Sequence, residues 1–221
     1  MNYTFRRFIN IIDHQLKQNS RAGVYSVPDK GRLARQNQIA MWVNFQLNHL
    51  NSINPLFWQK IVEYTVPNDT DIIELPLFYK RINGIFINKT FYQVGKYGDH
   101  HRRYVAMDDY RIKAYDGSEF LAGDVLNIDG VFKPEQLIEN ASTDVEREAA
   151  LDANIDMPEN YINLLTYGVC LDYAAREKEN FPQMFYSYRE LLGRFEGDVP
   201  TTNAQGRFST KHPFGKGRIY V

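Results

Sequence analysis

A chain of 221 residues can bury one sizeable core, or two small ones, without a metal or disulfide staple. Its formal net charge of -1 lacks the basic footprint of a dedicated duplex DNA binder, and a mean hydropathy of -0.48 leaves no membrane span to expect. A single cysteine, Cys170, rules out an intramolecular disulfide and a cysteine zinc cluster, and it reads as a small packing residue. Tyrosine is abundant, 15 residues against 2 tryptophans. Tyrosine serves surfaces that bury an apolar body and keep a polar tip, in an assembling subunit or in a tyrosine-rich β domain alike.

The N-terminal MNYTFRRFIN has no long apolar run after its arginines, which argues against a secretory signal and leaves the cytoplasm as the expected place of synthesis and assembly. Phe5, Phe8, Ile9, Ile12 and Leu16 fall on one face at helical spacing, with Arg6, Arg7, Asp13, Gln15 and Lys17 off it, and predict a first helix. Residues 19–23 break it, and 26–29 offer capping side chains. A second helix is predicted over 30–51, with an apolar stripe of Ile39, Val43, Leu47 and Leu50 that Trp42 and Phe45 widen. Its early turns carry Arg32, Arg35, Gln36 and Gln38, which read as a solvated face, with nucleic acid as the alternative partner.

At Asn54-Pro55 the period changes. Trp58, Val62, Tyr64 and Val66 alternate with more polar neighbours until Pro67-Asn68-Asp69 ends the strand. Asn83-Gly84, Asp116-Gly117 and Asp129-Gly130 each lie between apolar segments, as hairpin turns do. Further strands are predicted over 72–75, 85–88, 91–94, 110–115 and 125–128, so that 55–133 reads as a small antiparallel β domain. Residues 134–156 are polar and acidic, with Glu135, Glu139, Asp144, Glu146, Glu148, Asp152 and Asp156, and read as a connecting arm with one short helix over 145–151. No Asp-x-Asp-x-Asp-Gly pattern supports a calcium loop there.

The strongest signal is the run from Met157 to Phe195. Pro158 and Glu159 suit a first helical turn, and Ile162, Leu165, Val169 and Tyr173 form an apolar stripe. Phe181-Pro182 blocks helical continuation, and a second helix carries Phe185, Tyr188, Leu191, Leu192 and Phe195 before Gly197. Two helices joined this closely pack antiparallel. Residues 1–54 and 157–197 are therefore expected to form a helical bundle. Beyond it, 198–221 holds glycines, prolines and a basic end, and reads as a disordered tail or as an extended arm that orders on a partner.

The order Pro-Glu-x-Tyr over 158–161, a helix containing Tyr167-Gly168, a polar break and a second helix rich in tyrosine and arginine resembles the C-terminal helices of phage head-to-tail adaptor proteins. These are the neck or tail-tubular subunits of tailed, especially short-tailed, bacteriophages. The layout, two helices before a β insertion and a helical hairpin after it, is similar too. The resemblance implies an α+β fold: an antiparallel bundle of N- and C-terminal helices, a small antiparallel β domain inserted in it, and an extended C-terminal arm. It implies a structural virion protein of the neck or tail, present as a homo-oligomeric ring of twelve copies under the portal protein. The ring would join the portal to a tail or nozzle protein and leave a channel through which genomic DNA passes without sequence specificity. Portal binding would fall to Arg207, Phe208, Lys211, Phe214, Arg218, Ile219, Tyr220 and Val221 of the arm, and subunit packing to Tyr161, Leu165, Tyr173, Tyr188, Leu192 and Phe195. Acidic side chains lining such a channel would keep DNA sliding. No cofactor and no membrane partner is expected.

Of the histidines, only the adjacent His100 and His101 invite a metal, yet neighbours in extended chain point to opposite faces, and Lys96 to Tyr104 reads as an exposed basic loop. Asp108-Asp109 has no second carboxylate pair at metal-ligand spacing. No phosphate loop, nucleophile elbow or metalloprotease pair occurs, and no catalytic, cofactor or metal residue is nominated. Two rivals remain open. A tail-associated peptidoglycan glycosidase needs only two carboxylates brought together by folding, and a nucleic-acid-binding module would use Arg32, Arg35, His100 to Arg103 and the basic tail.

Overall fold

A computed structural model describes residues 3–19, 32–96, 103–115 and 118–198. Within them the chain falls into two compact units, one built from the segment up to Asn54 together with Pro134–Asp198, the other from Pro55–Lys133.

The first unit is helical. Its elements are α1 (Phe5–Asn19), α2 (Arg32–Ile53), α3 (Asp144–Asp152), α4 (Ile162–Glu177) and α5 (Pro182–Gly197). The amphipathic α1 buries Phe5, Phe8, Ile12 and Leu16 and packs on α3 and α4. Arg6 on its outer side reaches Glu148 at 2.7 Å and Asp152 at 3.0 Å on α3. A capping box starts α3: Thr143 accepts from the Glu146 N–H, and the Glu146 carboxylate accepts from the Thr143 N–H. A single 3-10 turn, Glu159–Tyr161, leads into α4. That helix ends at Lys178, which takes a left-handed conformation with φ 56, and α5 restarts with Pro182 at its first position. Ile39, Val43, Leu47 and Leu50 of α2 are buried as their spacing predicts, but Gln36, Asn44, Gln46 and Asn51 are buried as well. The helix is enclosed on more than its apolar stripe.

The second unit is a seven-stranded sheet in the order β1-β7-β3-β4-β5-β6-β2. Its strands are β1 (Gln59–Thr65), β2 (Ile72–Glu74), β3 (Tyr79–Ile87), β4 (Thr90–Gly95), β5 (Tyr104–Ala106), β6 (Arg111–Ala114) and β7 (Val125–Phe132). Its core gathers Ile85, Tyr104, Ile112, Phe120, Leu126, Ile128 and Phe132. The expected fold, a helical bundle carrying a small antiparallel β domain, is thereby corrected: the described residues form a seven-stranded, curled, mixed sheet, in which β4 and β5 run parallel, and five helices.

The reason lies in the glycines. Asn83-Gly84 and Asp129-Gly130 sit inside β3 and β7, where they were expected to be turns. A Cβ on Gly84 would lie 2.2 Å from the Phe91 ring and one on Gly130 would lie 2.8 Å from the Arg81 carbonyl oxygen, so both are sites of close approach. The ladder between β3 and β7 shifts register at Tyr79/Arg81 and at Ile82/Gly84. Asp116-Gly117 lies outside the described residues. A tight turn among the described residues is Asn88-Lys89, with φ 50 and 69, between the paired Ile87 and Thr90.

Candidate interaction surface

In the helical unit a groove of about 440 Å³ opens where α2, α4 and α5 converge. Its base is polar. Gln46 of α2 donates from Nε2 to the Asp172 carboxylate of α4 at 2.8 Å, and its Oε1 accepts from the Tyr188 hydroxyl of α5 at 3.3 Å. Gly168, one turn before Asp172, makes room for that side chain, since a Cβ there would come within 2.6 Å of Gln46 Oε1. Burial pushes the Asp172 carboxyl above the usual range, and the bond from Gln46 opposes the rise. The Tyr188 hydroxyl is raised by burial and then by the charge of Asp172.

Apolar side chains make up most of the rest. Phe45, Phe181 and Phe185 line the groove with His49. Phe45 is 62% exposed and Phe185 47%, while Tyr186 beside it is 72% exposed. Arg189 lies over the Phe185 ring, 5.8 Å from its centroid. A groove lined by aromatic side chains and by two half-buried carboxylates, Asp172 and Glu179, is suited to taking an apolar group that carries a donor or a cation. Among the described residues no group of three or more His, Cys, Asp or Glu side chains comes together in a way that could hold a metal.

The residues expected to pack subunits are placed differently from one another. Tyr161, Leu165 and Phe195 are buried inside the helical unit. The Tyr161 and Phe195 rings meet edge to face at 5.0 Å, and the Tyr161 hydroxyl donates to the Asp198 carboxylate. All three lie in the core of the helical unit. Tyr173, edge-on to Trp42 at 6.2 Å, is half-buried, as are Tyr188 and Leu192. The exposed aromatics, Phe45, Phe185 and Tyr186, were not singled out as a surface. In α5 the buried residues are Met184 and Phe195, and that register turns Phe185 and Tyr186 outward.

The arm residues Arg207, Phe208, Lys211, Phe214, Arg218, Ile219, Tyr220 and Val221 lie outside the described residues, as do His100 and His101. Arg35 pairs with Asp13 at 2.5 Å with its side chain only 14% exposed, so its charge is spent within the chain and not on a nucleic-acid face. Asp108 accepts from the main-chain N–H groups of Tyr110 and Arg111 and from the Arg111 guanidinium, whose bond holds its carboxyl below the usual range. Asp109 pairs with Lys133 at 2.5 Å. This carboxylate pair anchors a turn. The acidic stretch 134–156 is likewise engaged, through the Thr143 cap, Arg6, and the Glu135 N–H donating to Asp156 at 3.0 Å. Comparison with protein-family models and with curated proteins finds no match for the chain.

Proposed function

We propose that this protein is a structural subunit that works by assembly: a head-to-tail adaptor of a tailed phage, forming a ring under the portal and joining it to the tail around a DNA channel. The observation that carries the reading is the aromatic groove of α2, α4 and α5, lined by the exposed Phe45 and Phe185 together with the half-buried Asp172. Exposed aromatics grouped around one polar anchor are what a protein interface uses at its centre. The order of elements, with α1 and α2 ahead of the strands and the α4–α5 hairpin after them, supports the same reading. So does a net charge of -1, which suits a ring that lets DNA slide through. In this reading the groove takes a neighbouring subunit, the basic aromatic arm takes the portal, and the protein resides in the virion neck or tail.

The test is cosedimentation of the full chain with purified portal rings, beside a variant carrying Phe208→Ser, Phe214→Ser and Tyr220→Ser. Binding that saturates near one copy per portal subunit and is lost in the variant supports the adaptor. Failure of the intact chain to bind removes it.

A further inference from the structure

The groove of α2, α4 and α5 and the point where the chain passes beyond the described residues lie at opposite ends of one helix. Phe181, Phe185 and Tyr188, from the N-cap and first two turns of α5, line the groove. At its other end the helix closes on Asp198, which is pinned to the helical unit. The Asn54 carboxamide donates to its carbonyl oxygen at 2.9 Å, and its carboxylate accepts from the Tyr161 hydroxyl. From Asp198 back to Phe185 the helical rise amounts to about 20 Å. Phe208 stands ten residues beyond Asp198, and ten residues of extended chain span about 33 Å. The segment that begins there can reach the groove of its own chain.

The chemistry of the two is complementary. The groove offers the exposed rings of Phe45 and Phe185 and the carboxylate of Asp172, whose bond from the uncharged Gln46 leaves its negative charge in place. From Val199 to Val221 the sequence holds four lysines and arginines and no carboxylate side chain. Arg207, Phe208, Lys211 and Phe214 alternate cation and ring within eight residues. We propose that in the free subunit the groove holds residues 207–214 of its own chain, with Phe208 and Phe214 on the aromatic lining and the cations toward Asp172. A tethered segment meets its site at an effective concentration on the order of millimolar, which favours it over the same segment of a second copy. While the segment lies there, the face that takes a neighbouring subunit is covered, and a portal that draws the arm away uncovers it. That release rests on the adaptor reading, whereas the contact within one chain does not.

The probe is a synthetic peptide of residues 205–216, titrated into the full chain labelled with nitrogen-15, with the main-chain N–H signals of 45–49, 171–175 and 185–188 as the readout. A variant carrying Arg207→Glu, Phe208→Ser, Lys211→Glu and Phe214→Ser changes only residues beyond the helical unit. Its groove signals should differ from those of the intact chain before any peptide is added, and the difference should persist after about tenfold dilution. The peptide should bind this variant about tenfold or more tighter than the intact chain, whose own arm competes for the groove. Adding Phe45→Ser, at an exposed position, should weaken the peptide again by about tenfold. Groove signals that coincide in the intact and variant chains overturn the proposal, as does a variant that binds the peptide no better than the intact chain. So does peptide binding untouched by Phe45→Ser, or a difference that fades on dilution, which gives the groove to a second copy's arm. Portal rings take no part in the measurement, so this contact and the adaptor reading can each fail alone.

Discussion

The carboxamide of Asn44 and the main chain of Leu137 exchange two hydrogen bonds, Nδ2 donating to the carbonyl at 2.9 Å and the Leu137 N–H donating to Oδ1 at 2.8 Å. Both residues are buried. Gln36 and Asn37 of the same helix donate to the main-chain carbonyls of Arg147 and Ala141, and Asn48 donates to the Gln136 side chain. An irregular segment is thus held along α2 by amides that replace a ladder. Asn44→Leu should cost about 2–5 kcal/mol, because it strands a buried N–H and a buried carbonyl at once. Urea denaturation checks this, and Asn44→Asp, which keeps the acceptor and loses the donor, should fall between.

Gly168→Ala should destabilise the helical unit by about 1–3 kcal/mol despite the better helix propensity of alanine. The added Cβ meets Gln46 Oε1 at 2.6 Å and Cδ at 2.8 Å, and Gln46 cannot swing away without releasing Asp172 and Tyr188. In a Gln46→Ala background the same change should become neutral or gain up to about 1 kcal/mol. Additive losses in the double-mutant cycle would show that the clash is elsewhere.

At the β3–β4 turn, Lys89 holds φ 69 without being glycine. Lys89→Gly should raise stability by about 0.5–1 kcal/mol, since the asparagine–glycine pair is the preferred filling of such a turn. Thermal unfolding reads the gain, and a loss would mean that the lysine side chain contributes more than its backbone costs.

Burial pushes the Cys170 thiol from an ordinary 9.0 up to about 12, with the charge of Asp13 adding to it. The unfolded chain ionises this thiol first, so its contribution is whole below pH 9.0 and is lost as pH rises toward about 12. Stability should fall across that alkaline range, and Cys170→Ala should fall less steeply. Native-state labelling of Cys170 by a thiol reagent should be slow at neutral pH and should accelerate in step with denaturant unfolding.

Where burial is decided by spacing, the sequence was readable: Phe5, Phe8, Ile12 and Leu16 of α1, and Ile39, Val43, Leu47 and Leu50 of α2, are all buried. Where it is decided by a distant partner, it was not. The amides of α2 look like a solvated face until the main chain of 136–147 is laid beside them. Phe45, counted as widening the apolar stripe, faces outward. The strands suffered from the same limit, because a glycine needed for a neighbour's ring, as Gly84 is for Phe91, carries the same letters as a glycine needed for a turn. Strand β5 has three residues, too few to show a period. Of the candidate site, Tyr188 was singled out, whereas Gln46, Asp172 and Phe185 acquire meaning only when α2, α4 and α5 are brought together.

The helical unit is discontinuous, and this has a consequence for synthesis. The apolar face of α1 packs on α3 and α4, which begin at Asp144 and Ile162, far behind it in the chain. At ribosomal speed α1 would wait roughly 10–30 s for its partner helices to be made. The seven strands of the described residues, by contrast, are complete at Phe132, before any of those helices exists. The sheet can therefore fold while Phe5, Phe8, Ile12 and Leu16 are still uncovered, and nascent α1 is a segment on which a chaperone would act.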